Sequence, residues 1–384
     1  MRILVISTIV PAPPDRGDRI RGYEMLRALV EFGEVQLALI GNEPLGTAAS
    51  LALESIGVHV LRFPISTVLG LRGVLGAVVA GRPWGVWRLR RTASRLASAV
   101  GPQDAVIGFQ LKSAYYAEKV PAGLKVLELT DSLGRYRKVL PVWRNPLRWL
   151  SLTGAGREEA VWAGRFPMTF VCSEQDAKEI AKHSPHARIR VVDNGADPRQ
   201  TPLETGTKDS LLFVGSLFYP PNRDGLHWFL RDVWPAIAAD HPTLAFRIVG
   251  EGPNDTVRRL AGQRVTWTGY LNDLTWEYER ALALVNPVRY GTGTRRKILY
   301  AWAAGLPVIS TREGANGLAY DAGKHLLIAN QPEEFRHAVS KLLSEPGTWE
   351  RIGGAGWALT RQRYHSAEIW HAALTEMFTT RTRQ

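Results

Sequence analysis

The 384-residue chain predicts an α/β protein built from two successive Rossmann-like domains with a ligand cleft between them. Three observations carry this. Short apolar runs alternate with helix-like stretches along the whole chain, the pattern of parallel sheets covered on both faces. The pattern restarts after the turn-rich VVDNGADP (191–198) and the polar TPLETGTKDS (201–210). The second half holds a glycine-rich turn that runs into a basic helix start, PVRYGTGTRRKILYAWAAGLPVISTREGANGL (287–318). At this length the chain suits two domains of about 150 to 200 residues.

In the first half the expected strands are 2–6, 35–40, 59–63, 105–109, 126–129 and 169–171. A first helix is expected over 22–32, with Leu26, Leu29 and Val30 on one face. Between the first strand and that helix lies PAPPDRGDRIRG, where Gly17, Arg19 and Arg21 form a second loop suited to anions. In the second half the expected strands are 211–214, 244–249, 265–267, 283–286 and 308–310. Ile369, Trp370, Ala373, Leu374 and Met377 give an amphipathic terminal helix. The domains are expected at 1–200 and 207–362.

Composition narrows the class. With 45% hydrophobic and 22% charged residues, the chain is globular rather than disordered. Cys172 is the single cysteine, follows Phe170 and Val171, and is expected at a buried strand end in a reducing compartment. MRILVISTIV continues into PAPPDRGDR without a small-residue cleavage site, so it is expected as the first strand. The longest apolar stretch, 66–81, is broken by Arg72 and rich in glycine, too short and interrupted for a membrane span.

The net charge is +12, and the segment 62–168 holds 17 Lys and Arg against 6 Asp and Glu. Such a block attracts anionic lipid headgroups, a pyrophosphate-bearing substrate or nucleic acid. Trp84, Trp87, Trp143 and Trp149 lie among these charges, as at a lipid interface. A solvated basic face with partly buried tryptophans is the plainer alternative. No nucleic-acid motif accompanies the charge, so nucleic acid is not the expected partner.

The 287–318 segment has the parts of a phosphate cradle. Gly291 and Gly293 let the backbone approach an anion, and Thr292 or Thr294 can cap the following helix. Arg295 and Lys297 fall in its first turn, where free amides and the helix dipole already favour negative charge. Gly305 can end the helix, and Pro307 opens the next strand. An ordinary αβ connection with a solvated basic face is the other reading of this segment alone.

Further stretches identify a family. They are PAPPDRGDRIRGYEMLRAL (11–29), TDSLGRYR (130–137), FVCSEQDA (170–177) and VVDNGADP, then FVGSLFYPPNRDGLHWF (213–229), RIVGEGP (247–253), VTWTGYLNDL (265–274), GTGTRRKILYAWAAGLPVIST (291–311) and GKHLLIANQPEEFRHAV (323–339). In their order and spacing the chain resembles bacterial glycosyltransferases of family four, the group 1 glycosyltransferases. The resemblance implies a GT-B fold, two Rossmann-like domains facing across a cleft, with a C-terminal helix (364–384) packing back on the first.

It further implies that the second domain holds a nucleotide-diphosphate sugar and the first holds the acceptor, a glycan, lipid-linked intermediate or small molecule. Gly215 and Ser216 would line the phosphate side, with Arg295 and Lys297 on the diphosphate. Thr292, Gly293 and Thr294 would form the turn beside it. Tyr270 and Leu271 would present backbone groups to the base, while Glu313, Gly314 and Ala315 border the pocket. Gly17 would face the sugar phosphate across the cleft. The resemblance also shows departures. Two family glutamates, eight positions apart, fall here at Thr292 and Tyr300, and the acceptor-side histidine is replaced in the stretch Phe109, Gln110, Leu111. No lysine follows the glycine of FVGSLFYPPNRDG at the family's position, although Arg223 is nearby. A tyrosine at 300 cannot accept two ribose hydroxyls as a carboxylate does.

The implied reaction is glycosyl transfer with retained configuration. No Asp-x-Asp pair occurs and the nine histidines show no ligand spacing, so no metal and no resident cofactor is expected, the nucleotide-diphosphate sugar being a co-substrate. Asp18 and Asp131, each in a matching first-domain loop, are the candidate acceptor bases. The expected location is cytoplasmic, with the inner face of a membrane as a peripheral site. Two alternatives stand beside the enzyme: a catalytically silent sugar-nucleotide binder or partner subunit, and a nucleotide-sugar epimerase.

Overall fold

The computed structural model describes residues 1–140, 142, 146–203, 208–252, 264–292 and 295–381. These divide into two compact units: Met1–Asp193 together with the C-terminal segment from Ala367, and Asn194–Ser366. Each is built on one twisted parallel sheet.

The first sheet contains β1 (Arg2–Ser7), β2 (Glu34–Ile40), β3 (Val58–Phe63), β4 (Gln103–Phe109), β5 (Ala122–Glu128), β6 (Met168–Val171) and β7 (Ile189–Val191) in the order β3-β2-β1-β4-β5-β6-β7. In β1, Ile3 lies opposite Val35 on one side and Ala105 on the other. Because successive side chains alternate faces, Ile3 and Val5 enter one core with Leu37 and Ile107, while Leu4 and Ile6 enter the other with Ala38 and Val106. Two apolar faces require helices on both. The terminal helix Ser366–Arg381 covers the first face with Trp370, Ala373, Leu374 and Met377.

The second sheet runs β10-β9-β8-β11-β12-β13, from β8 (Ser210–Val214), β9 (Ala245–Val249), β10 (Val265–Gly269), β11 (Ala281–Asn286), β12 (Val308–Ser310) and β13 (Leu327–Ile328). All the registered pairings are parallel, and β11 is buried along its whole length. The order reverses direction between β8 and β11. In such sheets the loops leaving the two switch strands part to opposite faces and open a crevice at their carboxyl ends.

Two expectations need correction. The first helix spans Gly17–Leu29 rather than 22–32, so residues 17–21 are helical and not a loop. Arg21 points into the protein: its Nε and Nη2 donate to the two oxygens of Glu128 at 2.9 and 3.0 Å, and Nη1 donates to the Val192 carbonyl at 2.9 Å. Its guanidinium also stacks 4.9 Å from the Trp370 ring of the terminal helix. Arg19 pairs with Asp15 and Glu43. The short edge strands β7 and β13 were not anticipated, since two or three residues carry no readable period.

Arg21 and Glu128 are both fully buried, so removing one leaves the other charge without compensation. Arg21→Met is expected to lower the unfolding free energy by about 3–5 kcal/mol. Chemical denaturation followed by tryptophan fluorescence checks this; a loss under about 1 kcal/mol would contradict a tightly paired guanidinium.

Candidate active site

The carboxyl ends of β8, β11 and β12 bring the second unit's polar groups together. Gly215 follows β8 directly, and a Cβ there would sit 2.7 Å from Asn222 Nδ2 and 2.8 Å from Lys297 Nζ. Only a glycine admits both side chains so close to its backbone. Asn222, in the helix Pro220–Trp228, is the bridge: its Nδ2 donates to the Ser216 carbonyl at 2.9 Å and its Oδ1 accepts from Lys297 Nζ at 2.9 Å. Prolines at the helix start sacrifice no intrahelical bond, since those amides have no acceptor within the helix.

Lys297 stands in the first turn of the helix Arg296–Ala304, its ammonium 4.4 Å from the centre of the Phe213 ring. Burial, and then the neighbouring Arg295, push its pKa down to about 7. Neither contact is a carboxylate. Arg295 is the N-cap residue, itself buried, with Nη1 donating to the Thr292 carbonyl at 2.7 Å. Its Nε is buried with no partner among the described residues. Gly291 has φ +136°, and a Cβ there would come 2.8 Å from Arg295 Nη2 and 3.0 Å from the Tyr219 hydroxyl. The turn must therefore hold glycine for both its conformation and its clearance.

The next strand end closes the group. Asn286, the buried last residue of β11, donates from Nδ2 to Ser310 Oγ at 3.2 Å and to the Gly314 carbonyl at 2.8 Å. Gly314 N donates to Thr311 Oγ1 at 2.8 Å, and Ala315 N to the Thr311 carbonyl at 3.1 Å. Half-buried Glu313 accepts a 3.4 Å bond from Asn316. On the other side, Gly215 N donates to the Val249 carbonyl and Gly250 N to the Gly269 carbonyl, a ladder leading to exposed Tyr270 and half-buried Leu271 beyond β10. Trp267 Nε1 locks that edge to the Gly250 carbonyl at 2.7 Å.

Several expected residues are thus collected at one sheet edge: Gly215, Ser216, Thr292, Arg295, Lys297, Glu313, Gly314 and Ala315. Gly293 and Thr294 lie outside the described residues. The helix is described from Arg296, and its N-cap Arg295 makes no side-chain cap bond among the described residues; Thr292 contributes its carbonyl to Arg295. Tyr300 lies about one turn further along, half-buried against the core, close enough to the fully buried Tyr278 to help raise that phenol's pKa. Sequence reasoning missed Asn222 and Asn286. The latter had one signal, an amide ending an otherwise apolar strand.

In the first unit, Gly17 is exposed at a helix start and Asp18 pairs with Arg16 at 2.8 Å. Asp131 Oδ1 accepts from the Cys172 thiol at 2.8 Å. Burial, with Asp131 and Asp176 nearby, pushes the Cys172 thiol well up, so it is a donor and not a thiolate. Among the described residues these three are the one group with close metal-ligand chemistry. Their convergence is accounted for by the thiol bond, the Ser173 hydroxyl on Asp176 and Arg135 at 3.5 Å. Gln110 (φ 68°) and Thr130 (φ 62°) take left-handed backbone just past β4 and β5, strain placed at the carboxyl edge of the first sheet.

The architecture is the GT-B fold. Residues 208–345 match the family model described as glycosyl transferases group 1, a stretch that falls within the second unit. Over the whole chain the structure is similar to Anabaena Alr3699/HepE, solved with UDP and glucose (TM-score 0.70, 15% identity, covering 99% of this chain and 100% of that one). It is also similar to sucrose-phosphate synthase from Thermosynechococcus elongatus (TM-score 0.70, 16% identity, 99% and 98% covered). A third is the pneumococcal O-GlcNAc transferase GtfA, solved with UDP and GlcNAc (TM-score 0.68, 12% identity, 99% of each covered). In sequence, 176 residues are 25% identical to a Klebsiella pneumoniae protein described as an uncharacterized 44.6 kDa protein in the cps region. That match spans 44% of this chain and 45% of the relative, less than half its length.

A buried lysine with only a neutral partner destabilises the free protein. Its lowered folded pKa means the unfolded chain binds more protons between about pH 7 and its ordinary value, so the cost is complete at pH 7 and below and fades as pH rises. Lys297→Met is expected to raise stability by about 1–2 kcal/mol at pH 7, the gap shrinking toward pH 10. Thermal melts across that range check it, and a destabilised variant at pH 7 would contradict it.

Proposed function

We propose that the chain is a bacterial family-four glycosyltransferase that moves a sugar from a nucleoside-diphosphate sugar to an acceptor hydroxyl, with retained configuration and without a metal. One observation carries this reading: Arg295 and Lys297 stand together at a switch-point helix start with no carboxylate partner among the described residues. Like charges so placed are costly unless an anion joins them. A diphosphate has the charge and the oxygens to do so. Similar folds solved with UDP or UDP-glucose, and the group 1 glycosyl transferase match over 208–345, support the same ligand class.

In this scheme the bond from the anomeric carbon to the diphosphate breaks, and negative charge grows on the leaving oxygens. Arg295, Lys297 and the first helix amides face that charge, so they favour the transition state over the bound donor. Asn222 keeps the ammonium aimed at the Gly215 edge. Exposed Tyr270, with Leu271, offers the base a surface, and the first unit supplies the acceptor with Asp18 or Asp131 as base. The acceptor is a glycan, a lipid-linked intermediate or a small molecule. We place the reaction in the cytoplasm and, from the basic 62–168 block, at the inner face of a membrane.

Incubating purified protein with a panel of nucleoside-diphosphate sugars is expected to show donor hydrolysis or transfer, reduced about 100- to 1,000-fold in Arg295→Ala. Tight binding without turnover would instead support a silent binder, a reading favoured by the absence of any carboxylate at Thr292 or Tyr300. Release of epimerised donor without acceptor would contradict both.

Donor binding also carries a proton. Bound diphosphate restores the charge on Lys297, so affinity for UDP is expected to fall up to about tenfold per unit as pH rises above about 7. Titration calorimetry in buffers of different ionisation enthalpy reads the proton uptake, and Lys297→Arg should flatten the dependence. A flat wild-type profile would contradict the assignment.

A further inference from the structure

The helix Thr67–Val79 is built inside out. Its protein-facing side is small: Ala77 is buried, and Gly70 and Gly73 lie against the Trp87 indole, where a Cβ at Gly73 would be 2.8 Å from the ring. Among the described side chains, the large apolar ones other than half-buried Val74 face outward. Val68, Leu71, Leu75, Val78 and Val79 are 46% to 81% exposed and recur at i, i+3, i+7, i+10 and i+11, one continuous stripe. In a helix covered only by water that arrangement is the reverse of what burial favours. The short helix Pro146–Ser151 adds exposed Leu147 and Leu150, and its last residue accepts at 3.1 Å from the amide of Trp84, in the segment that follows the helix Thr67–Val79.

The sequence that carries this stripe is basic, although Arg88 is paired with Glu158 at 2.9 Å. Residues 62–100 contain seven arginines and no Asp or Glu. Arg82 donates to the Gly76 carbonyl at 3.1 Å, binding the cation to the helix, while its Nη1 is buried with no partner among the described residues. Arg148 stands between Leu147 and Leu150 and is itself exposed.

We propose that this face is a monotopic membrane surface, in which the stripe of the helix Thr67–Val79 enters the headgroup and acyl boundary of an anionic bilayer and the flanking arginines rest on its phosphates. An apolar stripe with a basic border is the pairing that interfacial helices use, apolar area and anionic headgroups each adding to binding. The helix is 13 residues long, and no helix among the described residues is long and apolar enough to cross a membrane, so the element lies on the surface. This deepens the membrane placement in the proposed function and rests on that part of it alone. It identifies the surface that would bring a lipid-linked acceptor to the first unit.

The test uses the full chain, without sugar donor, in co-sedimentation with vesicles of phosphatidylcholine alone or mixed with phosphatidylglycerol. Wild type is expected to bind the mixed vesicles and to be partly released by salt. Leu71→Ser with Leu75→Ser should weaken binding more than about tenfold while leaving the melting temperature unchanged, since both side chains are exposed. A dye on a cysteine placed at position 75 should shift to the blue on vesicles. Three results would overturn the proposal: no binding to mixed vesicles, undiminished binding in the double variant, or a wild-type dimer in light scattering that the double variant abolishes. The last would make the stripe a contact between copies. Vesicle binding with no sugar transfer would sink the enzymatic reading and leave this one standing.

Discussion

In the second unit Arg295 and Lys297 stand at one helix start with no carboxylate partner among the described residues. Arg247 has Glu277 on both of its forks, and Arg21 in the first unit has Glu128. Arg295 and Lys297 have a backbone carbonyl and an asparagine. Burial lowers the lysine's affinity for its proton, and the neighbouring guanidinium lowers it further. The surrounding structure holds this arrangement in place. Gly215 leaves clearance for the ammonium, Asn222 pins it, Gly291 leaves clearance for the guanidinium, and the core under Ile298, Leu299 and Trp302 fixes the helix that bears both. On the proposed reading, a site that stores unfavourable electrostatics in its free state is preorganised for an anion.

The first unit uses its charges differently. Its deepest arginine is a structural brace joining the first helix, β5 and the terminal helix, through Glu128, Val192 and Trp370. Strain at Gln110 and Thr130 falls at the ends of β4 and β5, the edge where open parallel sheets present ligands. Asp131 sits in that rim with a protonated thiol bound to it. The two units therefore share a topology while their two most telling arginines differ: Arg21 is compensated by Glu128, and Arg295 has a backbone carbonyl.

Much of the fold was legible because parallel strands buried on both faces write themselves as unbroken apolar runs. The strand Val308–Ser310, bracketed by Pro307 and by the positive-φ Gly305 that ends the preceding helix, fell where expected to the residue. The grouping of Gly291, Arg295 and Lys297 at one sheet edge was legible from the glycine-rich turn and its cations. What escaped is tertiary. Arg21 reads as another loop cation until a carboxylate 107 positions away is found beside it. Asn222 looks like a turn residue in PPNRDG, and only folding sets it between Ser216 and Lys297. The inverted helix at 67–79 shows as an interrupted apolar stretch, and nothing in its composition says that its small residues face inward.

The most direct test of the electrostatic claim is a crystal structure of the full chain with a bound nucleoside diphosphate. The diphosphate oxygens should lie within hydrogen-bond distance of Lys297 Nζ and the Arg295 guanidinium, at the start of the helix Arg296–Ala304. Nucleotide bound away from the β8 and β11 ends, with both side chains unchanged and untouched, would contradict it.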